Sequence, residues 1–204
     1  MGCDLLESII EQPCPICSSN SGITMIVHNS EIPYFGEHTQ MTMLCDTCGW
    51  RHTDFIPAEG KKPGAWEINI DSIEKLNVRI VRSSSCTVII DELGLEVEPG
   101  GSSTGYISNI EGVLNRFEDA ISLIYRQSLT DDSDQENQEK CSQLLSEITL
   151  VKNGKRTVKL QLLDPMGHSQ ILDAAAKPRE LSTNELETLQ VGPTIPVFDA
   201  DDLI

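Results

Sequence analysis

Cys14-Pro-Ile-Cys17 and Cys45-Asp-Thr-Cys48-Gly49 form two C-x-x-C knuckles with 27 residues between the pairs. Zn2+ takes four thiolates in a tetrahedron, each sulfur about 2.3 Å from the metal, and a hairpin between the knuckles would bring the two pairs together. Four sulfurs close the coordination sphere. The pattern therefore predicts one structural Zn2+ held by Cys14, Cys17, Cys45 and Cys48, with no open position for a catalytic water. A redox reading of either pair fits less well. A thioredoxin-like motif sits in a βαβ pattern, whereas Gly49-Trp50-Arg51 starts no helical periodicity. His28, His38 and His52 are near the knuckles in sequence, but a histidine ligand would leave one thiolate unpaired, so they are read as non-ligands. The chain has seven cysteines, and an odd number in a cytosolic protein reads as metal ligands plus spare thiols rather than as a disulfide framework. Cys3, Cys86 and Cys141 are those spare thiols.

Other chemistry is sparse. Gly100-Gly101-Ser102-Ser103-Thr104-Gly105 is glycine-rich and precedes a helix, but no Lys-Ser/Thr follows Gly105 as a P-loop needs. It reads as a connection from sheet to helix. Neither a G-x-S-x-G nor an H-E-x-x-H motif occurs, and no histidine cluster is present to make a cupin-like metal site, so the expectation is a non-enzyme. Ile32-Pro33-Tyr34-Phe35 is an apolar run in the presumed ribbon loop. It either packs under the neighbouring domain or forms a partner-binding tip with Ile32, Tyr34 and Phe35 as anchors.

Charge narrows the partners. Fifteen basic against 32 acidic residues leave a formal charge of −17, which repels phosphate backbones and anionic membranes. No stretch reaches the roughly 20 apolar residues of a membrane span, and the start MGCDLLESII lacks the basic residues of a signal peptide. A cytoplasmic location is expected.

These side chains must be positioned by a largely β framework, because the core is Ile, Leu and Val with only 4% aromatics. Residues 13–60 read as a zinc ribbon: the β-prone runs Ile23–His28 and Gln40–Cys45 flank a polar stretch, Asn29–Thr39. Gly60-Lys61-Lys62-Pro63-Gly64 marks the boundary. Residues 64–175 read as a β domain. Trp66/Ile68/Ile70, Val78/Ile80, Thr87/Ile89 and Leu95/Val97 alternate with polar residues, as half-buried antiparallel strands do. At about 109–153 the period becomes helical. Ile110, Val113, Leu114, Phe117, Ile121 and Ile124 follow a Ser108 to Glu111 capping box, and Cys141, Leu144, Leu145 and Ile148 follow a Ser133 to Glu136 box. Thr130-Asp131-Asp132 would join them into a helical hairpin inserted at the sheet's edge with an apolar face of its own. Val158, Leu160 and Leu162 resume a strand, and Asp164-Pro165-Met166-Gly167 is a β-turn. The tail, 176–204, carries a short helix from Ser182 to Gln190 and ends in Asp199, Asp201 and Asp202.

Taken together the motifs resemble the ZPR-type zinc-finger protein family. The resemblance runs through C-P-x-C at Cys14–Cys17, I-P-Y-F-G-E at Ile32–Glu37 and C-x-x-C-G-W-R at Cys45–Arg51. It continues through L-N-x-x-I-V-R-S at Leu76–Ser83, L-x-x-E-V-x-P-G at Leu93–Gly100, I-x-x-I-E-G-V-L at Ile107–Leu114 and D-P-x-G-x-S at Asp164–Ser169. The chain has one ribbon and β domain, as in the archaeal-type members, where the eukaryotic ones are duplicated. His168, where Asn is usual, and the Arg51-His52-Thr53-Asp54 run are smaller departures. The resemblance implies a mainly β fold with inserted helices (α+β), in which the zinc ribbon precedes a double-stranded β-helix-like domain carrying the helical hairpin. It also implies an accessory or chaperone-type role binding the translation elongation GTPase, elongation factor 1 alpha. The alternative left by the ribbon alone is a nucleic-acid or ribosome-associated binding protein, which the charge disfavours.

Overall fold

The computed structural model describes residues 5–33, 35–58, 62–129 and 135–191. Strands β1 (Leu5–Ile10), β2 (Ile23–Ile32), β3 (Gly36–Leu44) and β4 (Arg51–Pro57) form an antiparallel sheet in sequence order. The β2–β3 hairpin is longer than the sequence suggests, pairing continuously from Thr24↔Leu44 to Ile32↔Gly36. The polar Asn29–Thr39 stretch is thus mostly strand. Cross-strand pairing outweighs its weak β-propensity: Thr39 Oγ1 donates to Asn29 Oδ1 at 2.8 Å. Phe35 N donates to Ile32 O at 2.9 Å, and Gly36 turns the chain at φ +82°. β1 and β4 have no alternating pattern of their own and gain it from their neighbours. The ribbon's apolar core is small: Ile10, Met25 and Met41 with Val27 and Ile56 packed against them.

The second unit contains β5 (Gly64–Ile70), β6 (Arg79–Arg82), β7 (Thr87–Ile90), β8 (Leu95–Val97) and β9 (Tyr106–Asn109). Then come α1 (Ile110–Ser128), α2 (Gln135–Lys152), β10 (Val158–Asp164), β11 (Gln170–Leu172), β12 (Lys177–Glu180) and α3 (Thr183–Thr188). Two antiparallel sheets, ordered β12-β5-β10-β7-β8 and β11-β6-β9, form a jelly roll. Ile68 and Ile70 of β5, Ile80 of β6, Val88 and Ile90 of β7 and Leu160 and Leu162 of β10 share one core. The fold is mainly β with a few helices, as expected.

Several local expectations need correction. On β7 the core-facing residues are Val88 and Ile90, not Thr87 and Ile89; Ile89 instead packs on a second cluster of Ala65, Leu163 and Leu181. A central strand covered on both faces reads as a continuous apolar run, which hides its register. α1 is capped by Asn109, whose Oδ1 accepts from Gly112 N at 2.8 Å, rather than by Ser108. Ile124 is 51% exposed. The hairpin's apolar face is not separate: Ile110, Val113, Leu114, Phe117 and Ile121 of α1 and Cys141, Ile148 and Val151 of α2 belong to the same core as the strands. Ser133 and the Thr130-Asp131-Asp132 turn lie outside the described residues, as do Gly60 and Lys61 of the predicted boundary. The Asp164–Gly167 turn forms as read, with Gly167 N donating to Asp164 O at 3.0 Å.

A polar clasp holds the ribbon to the jelly roll at the middle of β4. Asp54 is 4% exposed, and its carboxylate accepts from Ser84 N at 2.9 Å and Ser84 Oγ at 2.6 Å. Thr53 O accepts from Gly105 N and from Thr104 Oγ1, both at 2.7 Å. Gly105 is required there, since a Cβ would lie 2.7 Å from Asp54 Oδ1. On either side of Ser84, Ser83 Oγ and Ser85 Oγ each donate to the buried Asp164 carboxylate at 2.7 Å. Arg82 fixes the loop behind, donating from Nη1 to Ser103 Oγ (2.8 Å) and from Nη2 to Cys86 O (2.6 Å). A buried carboxylate is tolerated only when hydrogen-bonded in this way.

Candidate metal centre

The two knuckles have the same backbone path. Ser18 N donates to Cys14 O and Gly49 N to Cys45 O, each at 2.8 Å. Cys14 N donates to Ser19 O at 3.1 Å and Cys45 N to Trp50 O at 2.9 Å. The residue after the second cysteine is left-handed in both, Ser18 at φ +56° and Gly49 at φ +74°. A hydroxyl cluster ties the knuckles together, with Ser19 Oγ and Ser21 Oγ each 3.0 Å from Thr47 Oγ1.

The outcome is a four-sulfur cage. Cys14 Sγ lies 3.7 Å from Cys48 Sγ, Cys17 Sγ lies 3.7 Å from Cys45 Sγ, and all four sulfurs fall within 4.8 Å of one another. A regular tetrahedron with sulfurs about 2.3 Å from its centre has edges of about 3.8 Å. The two measured edges match that value, and the cage is of a size to take Zn2+. Its acid-base behaviour agrees. The backbone N–H of Cys48 holds the Cys45 thiol down to about 6. Cys48 is pushed up to about 12: the Trp50 N–H favours its thiolate, but burial and the neighbouring sulfurs outweigh it. Four thiolates this close repel, and a dication relieves that repulsion. The site holds one structural Zn2+, Cys14 and Cys45 facing inward and Cys17 and Cys48 outward.

None of the three histidines joins the cage. His28 lies on β2, paired with Leu5 and Gln40. His38 is buried with Nδ1 3.1 Å from Gly36 O. His52 is buried and stacks on Trp50 with ring centroids 6.0 Å apart, and burial lowers its pKa. Cys86 is buried and its thiol is pushed up to about 12 by that burial, which makes it inert; Cys141 is also buried, and Cys3 lies outside the described residues. The glycine-rich 100–105 loop leads into β9 and supplies the clasp and the Arg82 partners, so it is a joint rather than a phosphate cradle.

The ribbon turn is less available than an exposed tip would be. Ile32 is buried at 7% exposure, Phe35 is half-buried, and Tyr34 lies outside the described residues. The clasp residues Asp54 and Ser84 escaped the sequence reading, since only tertiary contact distinguishes them from other polar residues. Among the described residues no helix is long and apolar enough to cross a membrane.

Comparison with known proteins agrees with both halves of the chain. Residues 8–62 match the ZPR1 zinc-finger domain and residues 74–190 the ZPR1 jelly-roll domain. A ZPR1-like protein of Pyrococcus horikoshii is 36% identical over 190 residues, covering 93% of this chain and 84% of the relative. One of Methanocaldococcus jannaschii is likewise 36% identical, covering 93% and 94%. The zinc finger chaperone zpr1 of Schizosaccharomyces pombe is 29% identical over 164 residues, 78% of this chain but only 34% of that longer protein. With a matched zinc finger, a matched jelly roll and relatives of the same single-module length, this chain belongs to the ZPR1 family.

Proposed function

We propose that this protein is a zinc-stabilised protein-binding factor of chaperone type whose partner is the translation elongation GTPase of the elongation factor 1 alpha class. The observation that carries the reading is the similarity to the fungal zinc finger chaperone across 78% of this chain. The closed four-cysteine cage supports a binding role over a catalytic one, because it leaves the metal no position for substrate. In this reading the ribbon, 13–60, and the jelly roll, 64–175 with the hairpin at 109–153, act together in the cytoplasm, and Tyr34 and Phe35 at the ribbon turn touch the partner. A charge of −17 complements the basic surfaces that a tRNA-delivering GTPase presents and disfavours nucleic acid itself. Attraction of that kind speeds encounter at low salt and fades as screening shortens to about 10 Å at 0.1 M.

A titration of the zinc-loaded protein against the purified GTPase, with GDP, GTP or no nucleotide, tests the proposal. Saturable association that weakens with salt is expected, with little binding to tRNA in the same buffer. No association up to tens of micromolar alongside tight tRNA binding would overturn it in favour of the nucleic-acid reading.

A further inference from the structure

His52 stands on β4 two residues before Asp54, whose carboxylate holds the clasp, and it is itself only 1% exposed. Successive side chains of a strand alternate in direction, so His52 shares its face with Asp54. Its ring stacks on Trp50, and neither Nδ1 nor Nε2 has a hydrogen-bond partner among the described residues. Met43 stands opposite it on β3. On the jelly-roll side lies the loop of Ser103 and Thr104: Thr53 N donates to Thr104 Oγ1 at 3.0 Å, and the Ser103 backbone is next to the imidazole. His52 is thus a buried titratable group set into the joint between the two units.

A neutral imidazole is tolerated in such a place, whereas an imidazolium brings in a charge and two N–H donors that need acceptors. The charge acting on the ring is the Asp54 carboxylate. Its oxygens already accept from Ser84 N, Ser84 Oγ and, at 3.0 Å, Phe55 N. The other neighbours, Met43, Ser103 and Thr104, are neutral, and behind the loop the Arg82 guanidinium donates to Ser103 Oγ and Thr104 O, which adds positive charge on that side. A proton on His52 therefore either draws Asp54 away from Ser84 or stays unpaired inside the joint. Both outcomes favour an open joint, where water reaches the ring. Burial lowers the pKa of His52 from the ordinary 6.5, and Asp54 and the Ser103 backbone recover only part of the loss. A folded pKa below the unfolded one means that the closed joint binds fewer protons than the open one. Its stability is present above pH 6.5 and falls as pH drops toward the folded value.

We propose that His52 is a pH-sensitive latch on the joint between the zinc ribbon and the jelly roll: neutral, it seals the joint, and protonated, it frees β4 from Ser84 and Gly105. The two units keep their own folds when the joint opens, the ribbon through its zinc and the jelly roll through its apolar interior. One proton taken up on opening shifts the opening equilibrium by at most about tenfold per pH unit. The inference is independent of the elongation-factor reading.

Amide hydrogen exchange on the full zinc-loaded chain tests it, each rate divided by the intrinsic rate at that pH and zinc content followed in the same samples. From about pH 7.5 down to about 5.5, protection at Ser84 N and Gly105 N should fall by up to about tenfold per pH unit, while core amides such as Leu160 and Leu162 stay protected. His52→Phe keeps an aromatic ring beside Trp50 but takes no proton, and it should leave the protection flat with pH. His52→Gln should do the same and covers the case in which phenylalanine distorts the joint. In the unaltered protein the His52 ring proton resonance should titrate over the range in which protection is lost, a reading that needs no variant to fold. Protection that stays constant in the unaltered protein, a loss that survives both substitutions, or a His52 ring that titrates outside that range would overturn the proposal. So would a loss that appears only as zinc leaves, which would place the sensitivity in the cysteine cage.

Discussion

Ser18 and Gly49 occupy the same left-handed position in the two knuckles, yet only one of them is glycine. The left-handed region costs an L-residue roughly 1–2 kcal/mol, against which glycine loses about 0.5–1 kcal/mol of chain entropy. A Cβ on Gly49 would meet nothing within 4 Å, so the cost of Gly49→Ala is backbone strain alone. We expect Gly49→Ala to destabilise the zinc-loaded ribbon by about 1 kcal/mol and Ser18→Gly to stabilise it by roughly 0.5 kcal/mol. Competition with a chelator, followed by zinc release, reads both; equal effects of the two changes would refute the equivalence of the knuckles. The cysteines themselves were legible because metal-ligand spacing is local chemistry. The turn strain at Ser18 was not, since nothing in Cys17-Ser18-Ser19 marks a positive φ.

The helices show how an element's role depends on what it packs against. Their 3.6-residue period was readable from Ile110 to Ile121, but an amphipathic stripe does not say which surface covers it. In the fold that surface is the jelly-roll core itself, where Leu114 and Ile148 are fully buried beside Ile80, Ile90 and Leu160. Replacing residues 109–153 by a Gly/Ser linker should therefore unfold the domain, and Ile148→Ala should cost about 2–5 kcal/mol in a denaturant titration. A folded, cooperative deletion variant would overturn that assignment. At the other end, α3 is set by a capping box: Ser182 Oγ accepts from Glu185 N at 3.3 Å and Ser182 N donates to Glu185 Oε2 at 2.8 Å. Arg179 grips the same carboxylate at 2.7 and 3.0 Å and, with Ser182, holds its pKa down to about 2. A folded pKa below the unfolded one means stability present above pH 4.5 and lost as pH falls toward 2. Because the pair is only partly buried and open to solvent screening, Glu185→Gln should cost under about 1 kcal/mol. The effect should appear as faster amide exchange at Leu186 and Leu189, and it should vanish between pH 4.5 and 2.

At the scale of the molecule, two units with different means of stabilisation are joined by one clasp. The ribbon's core is too small to hold it without metal, whereas the jelly roll has a full apolar interior. Asp54→Ala removes the acceptor for Ser84 N and Ser84 Oγ and leaves two buried donors unmade, a loss of about 2–4 kcal/mol across the joint. Calorimetry should then resolve two transitions, a zinc-dependent one and a zinc-independent one, where the unaltered protein gives a single coupled transition. One unchanged transition in the variant would mean the units are coupled elsewhere. The strand order of the jelly roll was beyond the sequence reading because pairing partners such as β10 with both β5 and β7 lie far apart in the chain.

The clasp meets the ribbon near the middle of β4, where Asp54 pairs with Met41, between the metal end and the turn end of the hairpin. The nine paired positions from Thr24 to Ile32 extend over roughly 30 Å at 3.4 Å per residue. Asp54 and Gly105 tie that rod to the jelly roll between its two ends. Lengthening the hairpin by two residue pairs would move the turn roughly 7 Å farther from the zinc cage while leaving the cage intact.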